Sequence, residues 1–141
     1  MAGGGTSGYS SRPLAAKLGY ASGLRIAARN MPDSVVAAIA DTAPGLTYLG
    51  LRARNLDALH LFHDRRAALA RDLTKGRTII RPAGMIWVSW PKRAAGVPTD
   101  ITEDVIRELA LPMGLVDVKV CAVDNTWSGL KLVIRKELRG G

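Results

Sequence analysis

The stretch WVSWPKRAAGVPTDITED, from Trp87 to Asp104, concentrates side chains that could bind a ligand. An apolar segment ends in Ser89 and Trp90, a Gly/Pro loop follows, and the polar residues after it are typical of a helix start. A lysine next to the free N–H groups of a helix N-terminus can hold an anion. The candidate ligand-binding residues of this stretch are Ser89, Trp90, Lys92, Thr99, Asp100, Thr102 and Glu103.

The same stretch has a purely structural explanation. Asp100 followed by Glu103 fits a capping box at the start of a helix, in which each side chain satisfies a backbone N–H. Trp90 would then fill the gap between a sheet and its covering helices. Both interpretations stay open at this stage.

A second group of candidates lies in DNTWSG, between two apolar segments near the C-terminus. Asp124, Trp127 and Ser128 are expected in a hairpin turn, where the indole would cover a sheet edge or form a flat wall for a planar ligand. Lys119, Lys131 and Arg135 alternate along the flanking strands. They predict a basic stripe, for which a solvated face is the simpler cause.

The two histidines predict different roles. His60 alternates with Leu59 and Leu61 inside a strand, which favours a packed core imidazole. His63 precedes Asp64 at the carboxyl end of that strand, the position for a general base or for the start of a helix.

No set of residues predicts nucleophilic catalysis or a metal site. No serine lies in a G-x-S-x-G turn, and the single cysteine, Cys121, falls inside a predicted strand. The turn after the first predicted strand, Arg29 to Asp33, has no glycine and contains Pro32, which lacks an N–H. A nicotinamide or S-adenosylmethionine site needs close backbone approach at such a turn, so the sequence predicts no cofactor.

The elements that must position these residues alternate between strand and helix. After a short helix over Pro13–Leu18 that stops at Gly19, the predicted order is β-α-β-β-α-β-α-β-β. Gly45 and Gly76 are expected to end the next two helices. The predicted strands before the closing hairpin are Leu24–Asn30, Leu46–Leu51, Ala58–Phe62 and Met85–Trp90.

This order predicts an α/β fold, a three-layer Rossmann-like sandwich whose mostly parallel sheet ends in a C-terminal antiparallel hairpin. The pattern is similar to the core of S-adenosylmethionine-dependent methyltransferases, in a reduced form. The short connection between the second and third strands departs from that pattern, because a helix is missing there. The segment RTIIRPAG is predicted to be a turn that leads into the fourth strand.

The bulk composition predicts one domain over residues 9–141, preceded by a flexible Gly/Ser-rich tail over residues 1–8. The net charge of +8 favours anionic partners, including nucleic acid, although only 5% of residues are aromatic and can stack on bases. No apolar segment approaches the length of a membrane span, and one cysteine fits a reducing cytoplasm.

Two blocks of the sequence resemble DUF3052, a family of short bacterial proteins of unknown function: GYSSRPLAAKLGYASG and the segment from Trp87 to Lys136. The resemblance implies a soluble single-domain protein and supplies no activity. It marks polar and aromatic residues in predicted loops, which favours a functional site at the WPK…TDITE and DNTWSG loops.

Three functions remain open from the sequence. The favoured one is a non-catalytic Rossmann-like module that binds a protein partner or an anionic small molecule. The alternatives are a reduced methyltransferase-like enzyme, with Asp100, Glu103 or His63 as base, and a nucleic-acid-binding protein.

Overall fold

The computed structural model describes residues 12–140, so the whole predicted tail over residues 1–8 and the first residues of the predicted domain lie outside it. The helices are Leu14–Leu18 (α1), Asp33–Ala40 (α2), Arg66–Ile79 (α3) and Glu103–Ala110 (α4). The strands are Arg25–Arg29 (β1), Thr47–Leu49 (β2), Leu56–Phe62 (β3), Ile80–Pro91 (β4), Leu115–Ala122 (β5) and Trp127–Ile134 (β6). None of the helices within residues 12–140 is both long and apolar enough to cross a membrane.

The strands form one sheet in the order β2-β1-β3-β4-β6-β5. β2, β1, β3 and β4 run parallel, and β6 is antiparallel to both of its neighbours. The predicted element order and fold class are therefore confirmed. Residues 50–55 join β2 directly to β3 without a helix, as the sequence pattern indicates.

Helices cover the sheet on both faces and divide the core in two. Leu69 and Leu73 of α3 pack with Ile106 of α4 on one face. Leu18 of α1 packs with Ile39 of α2 on the other face. Burying each such side chain contributes roughly 1.5–3 kcal/mol, so these apolar stripes fix where the helices lie.

Two glycines do not end helices as expected. Gly76 lies inside α3, which continues to Ile79. Glycine is needed at this position because a Cβ there would meet Leu59 Cδ2 at 2.5 Å. The glycine serves the close approach of α3 to the sheet. α2 ends at Ala40, and Gly45 lies beyond it in a loop, where its N–H donates to Ser22 Oγ at 3.1 Å.

β4 is longer than the apolar pattern predicts. It begins at Ile80, inside the segment expected to be a turn, because residues on both sides of Gly84 can pair with β3. The hairpin turn is shorter than expected, so Trp127 and Ser128 are the first residues of β6 rather than part of the turn.

Candidate functional site

The sheet has a topological switch point between β1 and β3. β1 pairs with β2 on one side and with β3 on the other, and in open α/β sheets ligands bind beyond the carboxyl ends of the strands at such a point. Asn30 follows β1 with φ of 60°, the left-handed conformation that asparagine tolerates better than most residues. Its Nδ2 donates to Phe62 O at 3.1 Å, so Asn30 ties the ends of the two strands together.

A cleft of about 430 Å³ opens at this switch point on the α3 side of the sheet. Because three of its side chains are guanidinium groups, we call it the arginine cleft. Its lining residues are Arg29, Asn30, His63, Asp64, Arg65, Ala68, Arg71 and Asp72.

Asp72 of α3 connects the two strand ends across the cleft. His63 Nε2 donates to Asp72 Oδ2 at 2.6 Å, and Arg29 Nε donates to the same oxygen at 3.2 Å. His63 is only 8% exposed, and its backbone N–H donates to Ser89 O at 3.1 Å. The histidine expected at the strand end is therefore held by a carboxylate that sequence reasoning did not select.

The other charged side chains of the cleft have no such partner. Within residues 12–140, the side chains of Arg65, Arg71 and Asp64 form no hydrogen bond or ion pair. Both arginines are exposed at the start and middle of α3. Three guanidinium groups against two carboxylates leave the cleft with an excess of positive charge.

Ser89 lies away from the loops in which it was expected to act. It is fully buried, and its Oγ is 2.8 Å from His60 Nε2. His60 Nδ1 lies 3.0 Å from the Tyr20 hydroxyl, and its ring stacks on Phe62 at a centroid distance of 4.4 Å. Burial lowers the pKa of His60 to about 3, so His60 is a neutral core imidazole, as its position in the strand predicts.

Trp90 and Trp127 lie on opposite faces of the sheet. Trp90 is 8% exposed and packs in the core under α3 and α4. Trp127 packs edge-on against Phe62 in the other core, with 5.1 Å between ring centroids. Their loops meet through the backbone, since Lys92 N–H donates to Thr126 O at 2.8 Å, but the two indoles do not form one surface.

The predicted capping box is wrong in its partners. Asp100 Oδ1 accepts from the backbone N–H of Arg66 at 2.6 Å, so Asp100 caps α3 across the fold. Thr102 caps α4, because its Oγ1 accepts from Val105 N–H at 3.1 Å. Glu103 pairs instead with Arg107, one turn along α4, at 2.8 Å.

A second concavity of about 740 Å³ lies between the loop after β4 and the start of α4. We call it the β4–α4 groove. Of the predicted ligand-binding residues it contains Trp90, Thr99, Thr102 and Glu103. Ser89, Lys92, Asp100, Asp124, Trp127 and Ser128 do not line it.

The acidic residues of the β4–α4 groove are engaged. Arg107 binds Glu103 and also Asp104, at 3.1 Å, and Asp117, at 3.0 Å. The hydrogen bond that Arg107 Nε donates to Asp117 is the chief reason that the pKa of Arg107 is raised. Arg93 also lines the groove, and its side chain has no partner within the described part of the chain.

The hairpin candidates serve the fold in this structure. Asp124 Oδ1 accepts from the backbone N–H groups of Thr126 and Trp127, both at 2.8 Å, and so closes the turn. Ser128 pairs with Trp90 within the sheet. Lys119 Nζ donates to Lys17 O at 2.9 Å, so the predicted basic stripe is partly engaged in holding α1.

Within residues 12–140, no group of three or more histidine, cysteine, aspartate or glutamate side chains is placed to hold a metal ion. No protein-family model matches the chain. A regulatory protein RecX from Prosthecochloris aestuarii is 38% identical over 53 residues, which cover 38% of this chain and 34% of that protein. This match is too short to show a family.

Solved structures show the fold. The mitomycin 7-O-methyltransferase MmcR superposes with a TM-score of 0.64 at 12% identity, over 82% of this chain and 49% of that chain. The 1,6-didemethyltoxoflavin-N1-methyltransferase of Burkholderia thailandensis gives 0.55 at 11% identity, over 87% and 75%. Fibrillarin of Aeropyrum pernix, solved with S-adenosyl-L-methionine, gives 0.52 at 13%, over 86% and 69%. The chain thus has a Rossmann-like, methyltransferase-like fold and spans about half the length of the first of these proteins.

Proposed function

We propose that this chain is a reduced methyltransferase-like protein whose arginine cleft binds an anionic group of a small molecule, with S-adenosylmethionine, through its carboxylate, as the first ligand to test. The fold it shares with methyltransferases supports this assignment over the favoured sequence-based hypothesis. Fold likeness alone does not assign a reaction, so the proposal depends on the residues of the cleft.

One observation carries the proposal. Arg65 and Arg71 lie at the switch point of the sheet, next to a buried histidine oriented by Asp72, and neither has a carboxylate partner among the described residues. Guanidinium groups bind carboxylates and phosphates through paired N–H donors, and two that lack a protein partner are available to a ligand. The position is also where this class of sheet places its ligands.

The residues fit one end of S-adenosylmethionine better than the other. The two arginines suit a carboxylate such as that of its methionine part. The nucleoside end lacks its usual partners, because Asn30 replaces a glycine turn and crosses the crevice to Phe62. Residues 47–54, which form β2 and most of the connection to β3, contain no carboxylate to bind ribose hydroxyls.

A non-catalytic binding module is the second candidate, and the β4–α4 groove favours it. Arg93 and the 40% exposed Val97 offer a charge and an apolar contact there. The groove is lined by no histidine or cysteine, and Arg107 neutralises its carboxylates. These features suit contact with a partner rather than proton transfer. Binding of nucleic acid remains a prediction from net charge.

Calorimetric titration tests the proposal. We expect S-adenosylmethionine or S-adenosylhomocysteine to bind the wild-type protein and to lose affinity in Arg71→Ala. Adenosine and inorganic phosphate serve as comparison ligands. Arg54→Ala is the matched control, because Arg54 is an exposed arginine that precedes β3, at the opposite end of that strand from the arginine cleft.

The outcomes separate the functions. Binding of the S-adenosyl ligands that Arg71→Ala weakens and Arg54→Ala does not supports a methyltransferase-like enzyme. Binding of phosphate alone with the same dependence supports an anion-binding module. Equal loss in both variants, or no binding of any of these ligands, contradicts the assignment of the arginine cleft.

A further inference from the structure

His63 has one ring nitrogen committed and one open. Its Nε2 is 2.6 Å from Asp72 Oδ2, and since an ionised carboxylate only accepts, Nε2 carries the hydrogen. No hydrogen bond engages Nδ1 within residues 12–140. No fully buried side-chain nitrogen or oxygen there lacks a partner, so Nδ1 must reach solvent.

His63 is one of the residues that line the arginine cleft. Arg65 and Arg71 line the same cleft, and within residues 12–140 their guanidinium groups have no partner. A group that binds there would therefore meet positive charge and an imidazole nitrogen together. In contrast, the core imidazole of His60 uses both of its nitrogens, with Tyr20 and Ser89.

Asp72 gives His63 a fixed orientation. A carboxylate that accepts from one ring nitrogen selects the tautomer that leaves the other nitrogen as the proton acceptor, and it stabilises the imidazolium that forms. Arg29 binds the same carboxylate from β1, at 3.2 Å. Asp72 is thus held between two strand ends and cannot turn freely.

We propose that His63 exchanges a proton, through Nδ1, with a phosphate-bearing small molecule held by Arg65 and Arg71, which makes the arginine cleft an acid–base site. The ligand's O–H bond breaks as the Nδ1–H bond forms, and the electron pair stays on the ligand oxygen. The ligand gains one negative charge, which the two guanidinium groups offset. The imidazolium charge is shared with Asp72 through Nε2–H.

The inference rests on the proposed location of the ligand site, but it does not require an S-adenosyl ligand. Asp64 also lines the cleft, and its side chain has no partner in the part of the chain that the structure describes. Its charge opposes binding of an anion, so Asp64→Asn should tighten phosphate binding while Arg71→Ala should weaken it about 10-fold or more, the loss typical of one hydrogen bond to a charged group.

The test uses the two histidines of the chain, of which His60 is the internal reference. Ring-nitrogen NMR of the wild-type protein, titrated with inorganic phosphate, reports the tautomer and contacts of each imidazole. We expect His63 to carry its hydrogen on Nε2, its Nδ1 signal to move with phosphate, and the signals of His60 to stay unchanged. Diethyl pyrocarbonate should modify His63 and spare His60, and phosphate should protect His63.

Three variants complete the experiment. Arg71→Ala should abolish both the phosphate-dependent shift and the protection, whereas Arg54→Ala should keep them. Asp72→Asn should remove the tautomer preference in the folded protein. A hydrogen on Nδ1 of His63 in the free protein would overturn the acid–base role. The same role would be overturned if phosphate shifts the amide signals of residues 64–72 but not the ring signals of His63, and anion binding would then remain. If no signal in the cleft responds to phosphate, the acid–base inference falls, and the binding of S-adenosyl ligands alone then decides the proposed function.

Discussion

At the scale of single residues, Asp100 belongs to α3 rather than to the helix that follows it. Its carboxylate accepts from the first N–H of α3, at 2.6 Å from Arg66 N. Asp100→Ala should therefore lower the free energy of unfolding by about 1 kcal/mol, the usual cost of losing a cap. Urea unfolding measures it.

The control for Asp100 is Asp104→Ala. Asp104 is 88% exposed and makes only a surface ion pair with Arg107, which is typically worth under ~1 kcal/mol. A midpoint that moves less for Asp100→Ala than for Asp104→Ala would rule out the capping role.

Trp90 separates a structural from a binding role at the end of β4. Because its indole is 8% exposed within the core, Trp90→Ala should cost ~3 kcal/mol or more. Thermal and urea unfolding measure this loss, with the exposed Val97→Ala as the control on the same groove. A nearly neutral result would mean that the indole is not packed and is available to a ligand.

The candidate site shows what the sequence can and cannot predict at this scale. His63 is identifiable because strand ends of an α/β sheet meet at one edge. Asp72 and Arg71 are not, because they lie in the middle of α3 and only the packing of that helix brings them to the strand ends. The available sequence signal for Asp72 is its helical spacing, because Asp72 follows Ala68 by one turn and both therefore lie on one face of α3.

At the scale of elements, α3 approaches the sheet closely because position 76 has no side chain. Gly76→Ala would gain about 1 kcal/mol of helix propensity but place a Cβ 2.5 Å from Leu59 Cδ2, in a core where overpacking costs ~1–3 kcal/mol. We expect a net loss of stability in urea unfolding.

Leu59→Val supplies the test of that cause. Removing one carbon from the neighbour should relieve the clash, so the double variant should be more stable than the sum of the two single changes predicts. If the loss of stability in the double variant equals the sum of the losses in the two single variants, Gly76 is required for another reason.

The order of elements was predictable because hydrophobic period separates strands from helices along this chain. The residues at which the elements begin and end were less predictable. Gly76 has the residue type of a helix stop, and its actual role depends on Leu59, which is distant in sequence. Trp127 was expected in the hairpin turn because the tight turn closed by Asp124 has no distinct pattern in DNTWSG.

At the scale of the whole molecule, the two faces of the sheet have different chemistry. The α3 and α4 face is an apolar core that ends at the arginine cleft. The α1 and α2 face buries the connected polar groups of Tyr20, His60 and Ser89 among aromatic rings. Every member of this network has a partner, so it adds specificity to the packing without an unsatisfied group.

That network makes the stability of the whole fold depend on pH. The pKa of His60 is about 3 in the folded protein against 6.5 as its ordinary value, because burial disfavours the charged imidazole. Between these values the unfolded chain binds a proton that the folded chain does not. The stabilisation is therefore complete above pH 6.5 and is lost as the pH falls, by about 1.4 kcal/mol per pH unit.

Urea unfolding at intervals from pH 7 to pH 4.5 measures this slope above the range in which most carboxylates titrate. A fall of roughly 3 kcal/mol over two units would be a large part of the 5–15 kcal/mol typical of a domain. His60→Gln should lower stability at neutral pH, because it disturbs the bonds to Tyr20 and Ser89, yet flatten the slope. An unchanged slope in His60→Gln would place the titrating group elsewhere, and the core imidazole would then not set the acid limit of the fold.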